Sequence, residues 1–188
     1  MAKRVCPFWV GYVLISPLRA LFQNPDKLLK PFIAQGMKVL DIGCGMGFFS
    51  LPLARMIGAH GKVICVDVQE KMIASLKKRA KKAGLTDRIE TRICNQTSLG
   101  LDDLNEEIDF ALAFAVVHEV PNAAEFFDEI NRTLKPKGRL LIVEPKGHVS
   151  ENFFNRTISG AQQYGFKIID NPSIPRNRTM LLKKEVAQ

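Results

Sequence analysis

From residue 37 onward the chain alternates short apolar runs with segments of helical periodicity, and few folds accept that alternation. The runs "MKVLDI" (37–42), "KVICVDV" (62–68), "IETRIC" (89–94), "IDFALAFAV" (108–116) and "GRLLIVEP" (138–145) are short and rich in branched side chains, as strands covered on both faces are. Between them, 48–58 and 69–83 carry apolar residues at helical spacing. So do 123–135, where Phe126, Phe127, Ile130 and Leu134 fall on one face, and a stretch near 150–164. Alternating strands and helices predict a parallel sheet with helices on both faces.

The tail breaks the alternation. The strand-like runs "FKIID" (166–170) and "TMLLKK" (179–184) are joined only by "NPSIPRNR" and its neighbours. That link is too short for a crossover helix, so the two runs must pair antiparallel. The expectation is an α/β fold: a doubly wound, mostly parallel seven-stranded sheet closed by a C-terminal antiparallel hairpin. With 188 residues this is expected to be a single domain, with 37–188 as its core and 1–36 as a helical segment lying over it.

In such sheets ligands bind outside the carboxyl ends of the strands. The stretches to examine are therefore "GCGMG", "DVQ", "CNQTS" and "AFAVVHEV". The first has glycines at alternate positions, Gly43, Gly45 and Gly47, which permits close backbone approach. Asp67 ends the second strand, where a carboxylate can accept from both hydroxyls of a ribose. Val68 follows it. Asn95 and Gln96 end the third strand, and an amide both donates and accepts, as an adenine edge requires. Taken singly these are also a turn glycine, a helix cap and a turn residue. At successive strand ends they read as an adenosine site.

The dinucleotide fingerprint G-x-G-x-x-G fails at Phe48, and the G-K-[ST] of a P-loop is absent. Asp41, just before the loop, would repel a phosphate and suits a ligand carrying positive charge. At this point "VLDIGCGMGFFSLPLA" resembles motif I of class I S-adenosylmethionine-dependent methyltransferases. "VICVDVQEKM", "RICNQTSL", "IDFALAFAVVHEVPN" and "INRTLKPKGRLLIVEP" resemble the four motifs that follow, although Asn95 stands where Asp is common. The resemblance, over roughly 37–145, implies the methyl donor as cofactor: Asp41, Gly43 and Gly45 around its methionine end, Asp67 on the ribose, and Val68, Asn95 and Gln96 around the adenine. It places Phe114 and Ala115 near the reacting methyl.

A hydroxyl acceptor needs a base. His118 and Glu119 after the fourth strand, and His148 after the fifth, are the candidates. No Cys/His spacing suggests a metal. The base- and glutamine-modifying signature [DN]-P-P-[YFW] is replaced by "FAVVHE". The net charge of +8 owes much to "KKRAKK" (77–82), read as the solvated face of a helix. An RNA methyltransferase using that face, and a cofactor-binding protein without turnover, are the competing readings. The N-terminal "MAKRVCPFWVGYVLIS" is too short to span a bilayer. It is expected to fold as an apolar helix over the acceptor, with membrane-surface contact as the alternative. The resulting expectation is a cytoplasmic enzyme acting on a small, partly apolar acceptor.

Overall fold

The computed structural model describes residues 7, 9, 11, 15 and 23–185. Most of the expected N-terminal helix, including Phe8, Tyr12, Leu14 and Leu18, lies outside the described residues. Helix α1 (Pro25–Leu29) is capped by Asn24, whose side chain accepts from the Lys27 N–H. Strand β1 (Lys38–Ile42), helix α2 (Ser50–Met56), strand β2 (Lys62–Asp67), helix α3 (Glu70–Lys82) and strand β3 (Ile89–Ile93) follow. Next come β4 (Ile108–Phe114), α4 (Ala123–Thr133), β5 (Leu134–Pro145), α5 (Glu151–Gln163), β6 (Phe166–Asp170) and β7 (Asn177–Lys184). The seven strands are ordered β3-β2-β1-β4-β5-β7-β6 in one sheet. The expected mixed sheet with an antiparallel C-terminal pair is therefore what the chain forms. Among the described residues no helix is long and apolar enough to cross a membrane.

Two compact units make up the chain. In Arg4–Cys94, β1 runs parallel to β2 with Asp41 opposite Cys65, and β2 runs parallel to β3 with Asp67 opposite Ile93. Val39, Leu40, Val63, Ile64, Cys65 and Val66 are fully buried, which accounts for their continuous apolar runs. Helix α3 turns Met72, Ile73, Leu76 and Ala80 inward and leaves Lys77, Lys78, Lys81 and Lys82 exposed, a solvated basic face as read from "KKRAKK". Arg79 departs from that reading. It is half-buried, and its guanidinium donates to the Met46 carbonyl of the glycine loop.

In the unit containing Asn95–Gln188, β4 and β5 are parallel, whereas β5 and β6 each pair antiparallel with β7. Phe127 stacks edge-on against both Phe126 and Phe166, tying α4 to β6. Helix α4 ends at Thr133, two residues earlier than expected, because Pro136 disfavours helical geometry at Lys135. Leu134 already pairs with Ile108, and the ladder resumes at Phe110 and Arg139. The residues between bulge outward through Lys137, at φ 67°. Helix α2 also starts later than expected. Gly47 sits at φ +84°, so the loop continues through Phe49. Gly58 at φ +71° ends the helix by the usual left-handed route.

One buried acid holds the connection between β3 and β4. The Glu129 carboxylate on α4 accepts from the N–H groups of Leu99 (2.8 Å) and Leu101 (3.0 Å) and from the Ser98 hydroxyl. Glu129→Ala orphans two buried donors, each costing about 1–3 kcal/mol. Urea unfolding is expected to show a loss of about 3 kcal/mol, with Glu129→Gln in between.

Candidate functional site

The glycine loop is shaped by β2. The N–H groups of Gly43 and Cys44 both donate to the Val66 carbonyl, at 2.9 and 3.1 Å. Asp67 then closes the loop from the side, accepting from the Gly45 N–H at 2.9 Å and from the Gln69 N–H at 2.8 Å. The second bond is an Asx turn ahead of α3, whose N-cap is Gln69 without a side-chain cap bond, so Asp67 is not the helix cap considered for it. Burial raises the Asp67 pKa, against the lowering effect of the Gln69 and Gly45 N–H groups.

The glycines serve different ends. A Cβ on Gly47 would stand 2.3 Å from a Leu76 methyl and 2.7 Å from a Leu51 methyl, so this position lets α3 and α2 close onto the loop. A Cβ on Gly45 would meet nothing within 4 Å. The space beside Gly45 is open, and Gly45 at φ +54° keeps its backbone bare towards it. Gly43, at φ 67°, is exposed. Asp41 lies beneath the loop, 2 % exposed, and accepts from the Ser50 hydroxyl at 2.5 Å. Burial lifts its pKa to about 7, opposed by the Ser50 hydrogen bond and aided by the charge of Asp67. Burial likewise pushes the Cys44 thiol well up, aided by Cys65, so this cysteine is a packing residue and no nucleophile. Val68 is half-buried at the end of the same strand.

In the other unit Asn95 and Gln96 are exposed. The Asn95 carboxamide oxygen accepts from the Thr97 and Ser98 N–H groups, both at 2.8 Å, and from the Thr97 hydroxyl. It forms an Asx turn. Phe114 is buried at the end of β4. Ala115 bonds the Val143 carbonyl at 2.7 Å and is left-handed at φ 56°, a conformation that non-glycine residues keep only under external constraint. The turn that follows, Val117–Glu119, presents His118 to the end of β5. There Glu144, 1 % exposed, accepts from the His118 backbone N–H at 3.1 Å and meets its Nδ1 at 2.6 Å. A carboxylate on Nδ1 fixes the proton there and places the lone pair of the neutral ring on Nε2. His148 is exposed, with its ring centroid 6.3 Å from that of His118. Glu119 is half-buried in the turn. Among the described residues no cluster suits a metal ion.

Asp41, Gly43, Gly45 and Asp67 thus come together around one loop, and His118 and His148 around one strand end. Sequence reasoning missed Glu144, Ser50 and Arg79. An acid inside the apolar run "LLIVEP" was the available signal, since a buried carboxylate demands a partner.

Residues 33–185 match the family described as Methyltransferase domain. The chain belongs to this family. It is 34% identical over 119 residues to a ubiquinone biosynthesis O-methyltransferase of Paramagnetospirillum magneticum, covering 63% of this chain and 44% of that protein. It is 34% identical over 139 residues to the protein of the same name from Bradyrhizobium diazoefficiens, covering 74% and 51%. The chain spans about half the length of these curated relatives. The crystal structure of a SAM dependent methyltransferase from Aquifex aeolicus aligns with a TM-score of 0.84 at 26% identity, covering 97% of this chain and all of that one. Family membership makes S-adenosylmethionine the cofactor, and the bare, open backbone at Gly45 fits it.

Two outcomes are expected of the loop. Gly47→Ala combines a left-handed strain of about 1–2 kcal/mol with overpacking of about 1–3 kcal/mol, whereas Gly45→Ala carries the strain alone. Chemical denaturation should rank them in that order. Separately, the raised pKa of Asp41 means that the folded state holds a proton which the unfolded chain releases. That contribution to stability is full below the ordinary carboxyl value of 3.8 and is lost as pH rises through about 7. The melting temperature of the ligand-free protein should fall across this window. Asp41→Asn should flatten the fall in part, leaving the same-signed share of Asp67.

Proposed function

We propose that this chain is an S-adenosylmethionine-dependent methyltransferase acting on a hydroxyl of a small, partly apolar acceptor. The observation that carries the reading is the His118–Glu144 pair at the carboxyl ends of β4 and β5. Bound cofactor supplies a methyl group already activated by its sulfonium and leaves as S-adenosylhomocysteine. Gly43 and Gly45 give it a bare backbone to lie on, Asp67 receives its ribose hydroxyls, and Asp41 sets the charge beneath its methionine end. Val68, Asn95 and Gln96 are assigned to the adenine, and Phe114 and Ala115 to the wall near the methyl. Glu144 orients His118, and Nε2 of His118 takes the acceptor's hydroxyl proton. His148 and Glu119 are supporting candidates.

The acceptor class draws support from relatives whose names specify ubiquinone biosynthesis O-methylation and, at 28% identity over 112 residues, demethylmenaquinone methylation in Staphylococcus saprophyticus. A quinol or a related phenol is small, partly apolar and carries an acidic hydroxyl. Residues 1–36 are assigned as the lid and 37–188 as the core of a single domain. Gly11 supports the lid: a Cβ there would stand 2.8 Å from the Met46 methyl and 2.9 Å from Met72, so Gly11 lies tightly against the glycine loop. Localisation is assigned to the cytoplasm, in keeping with the free thiols of Cys44, Cys65 and Cys94.

A labelled-methyl assay against catechols and demethylnaphthoquinols tests the reading. His118→Ala should lower kcat by about 10²–10⁴. Glu144→Gln, which offers an amide where a carboxylate held the tautomer, should lower it roughly tenfold or more. Calorimetric affinity for S-adenosylmethionine should remain unchanged in both. Full activity in His118→Ala would exclude the base role, and failure of the native protein to bind S-adenosylmethionine would end the methyltransferase reading.

A further inference from the structure

The turn after β5 that carries His148 also forms one wall of a cleft of ≈ 390 Å³. The other walls are the first turns of α5 and the 171–180 segment leading into β7. Its charged lining is lopsided. Lys146, Arg176 and Arg178 face it, with Glu151 as the one acid, and Asn155, Asn171 and Ser173 add neutral hydrogen-bonding groups. Glu151 is committed to Arg178, at 3.6 Å, and the Arg178 Nε donates to the Val149 carbonyl at 3.1 Å. Among the described residues Lys146 and Arg176 have no acidic partner. Two cations are left uncompensated in one concave space.

Both residues are exposed, and the backbone holds the segments that carry them together. The Lys146 N–H donates to the Arg176 carbonyl at 3.0 Å, locking the two segments side by side. Arg176 is left-handed at φ 64°, a position where glycine or asparagine is the cheaper choice. The long basic side chain stands there at a conformational cost of about 1 kcal/mol or more. Pro145 pairs with Asn177, so the lining residues Lys146 and Asn177 lie at the end of β5, the strand that carries Glu144. The volume suits a small molecule, and two cations beside carboxamides suit an oxyanion.

We infer that this cleft is an anion-binding subsite that holds an acid group, carboxylate or phosphate, of the methyl acceptor. Its role towards an acceptor rests on the methyltransferase reading above; its affinity for anions does not. The subsite fixes one end of the acceptor while the hydroxyl to be methylated lies towards His118.

Calorimetric titration of the 188-residue chain with benzoate, phenyl phosphate, inorganic phosphate and neutral phenol tests this. The native protein is compared with Lys146→Gln/Arg176→Gln, and S-adenosylmethionine is titrated into the same samples. An aromatic acid should bind at least tenfold more tightly than phenol. The double variant should lose that affinity at least tenfold while keeping its S-adenosylmethionine affinity within twofold. Preference for benzoate assigns a carboxylate acceptor, and preference for phenyl phosphate a phosphorylated one. Equal binding of the aromatic acids to native and variant protein, or no binding of any anion, overturns the subsite. Binding of inorganic phosphate alone overturns the acceptor role. Anion binding by a native protein that fails to bind S-adenosylmethionine keeps the anion site but removes both its acceptor role and the methyltransferase reading.

Discussion

The shape of the glycine loop depends on a single carboxylate. Asp67 leaves β2 at the point where two backbone segments would otherwise carry unpaired donors, and it satisfies one N–H from each: Gly45 in the loop and Gln69 at the entry to α3. The loop cannot be shaped by its glycines alone, because glycine's freedom includes many conformations besides the native one. Asp67, together with the Val66 carbonyl that takes the N–H groups of Gly43 and Cys44, selects among them. Arg79 adds a tie from the far side through the Met46 carbonyl. A residue assigned to the ribose is therefore also the residue that builds the loop, and losing it would affect both.

Four buried acids illustrate how environment sets role. Glu129 is surrounded by backbone donors and serves as a structural clamp. Glu144 meets one residue twice, through backbone N–H and ring nitrogen, and so acts on the orientation of His118. Asp67 has two backbone donors and remains at the surface of the loop. Asp41 has the hydroxyl of Ser50 against full burial, and its pKa rises to about 7. Of the four, Asp41 is the one whose charge a cationic ligand would change most, since an approaching positive charge favours the ionised form. A carboxyl poised near neutrality under the loop thus couples protonation to the binding of such a ligand.

Much of the sheet was legible because its signals are local. Continuous apolar runs marked the strands, and the short "NPSIPRNR" link required the last two to be antiparallel. Boundaries were less legible where a single residue overrides periodicity. Gly47 delays α2, and Pro136 releases Leu134 from helix into strand although Leu134 continues the apolar stripe of α4. Arg79 was misread for a related reason. It stands seven residues after Met72 and three after Leu76, beside the buried stripe, yet the run of basic residues around it reads as one solvated face.

The candidate site divides along the same line. Gly43, Gly45 and Asp67 sit in consecutive chain segments whose spacing follows from one β-α-β unit, so the sequence carries their relationship. The partnership of His118 with Glu144 spans 26 residues and depends on the register that sets Phe114 opposite Val143. One step beyond that pair, Ala115 turns left-handed. The strand ladder stops there, and three residues later the His118 backbone N–H and ring both meet Glu144. The strain at Ala115 and the contact it enables belong together: a relaxed, extended Ala115 would carry His118 onward and leave Glu144 buried without its partner.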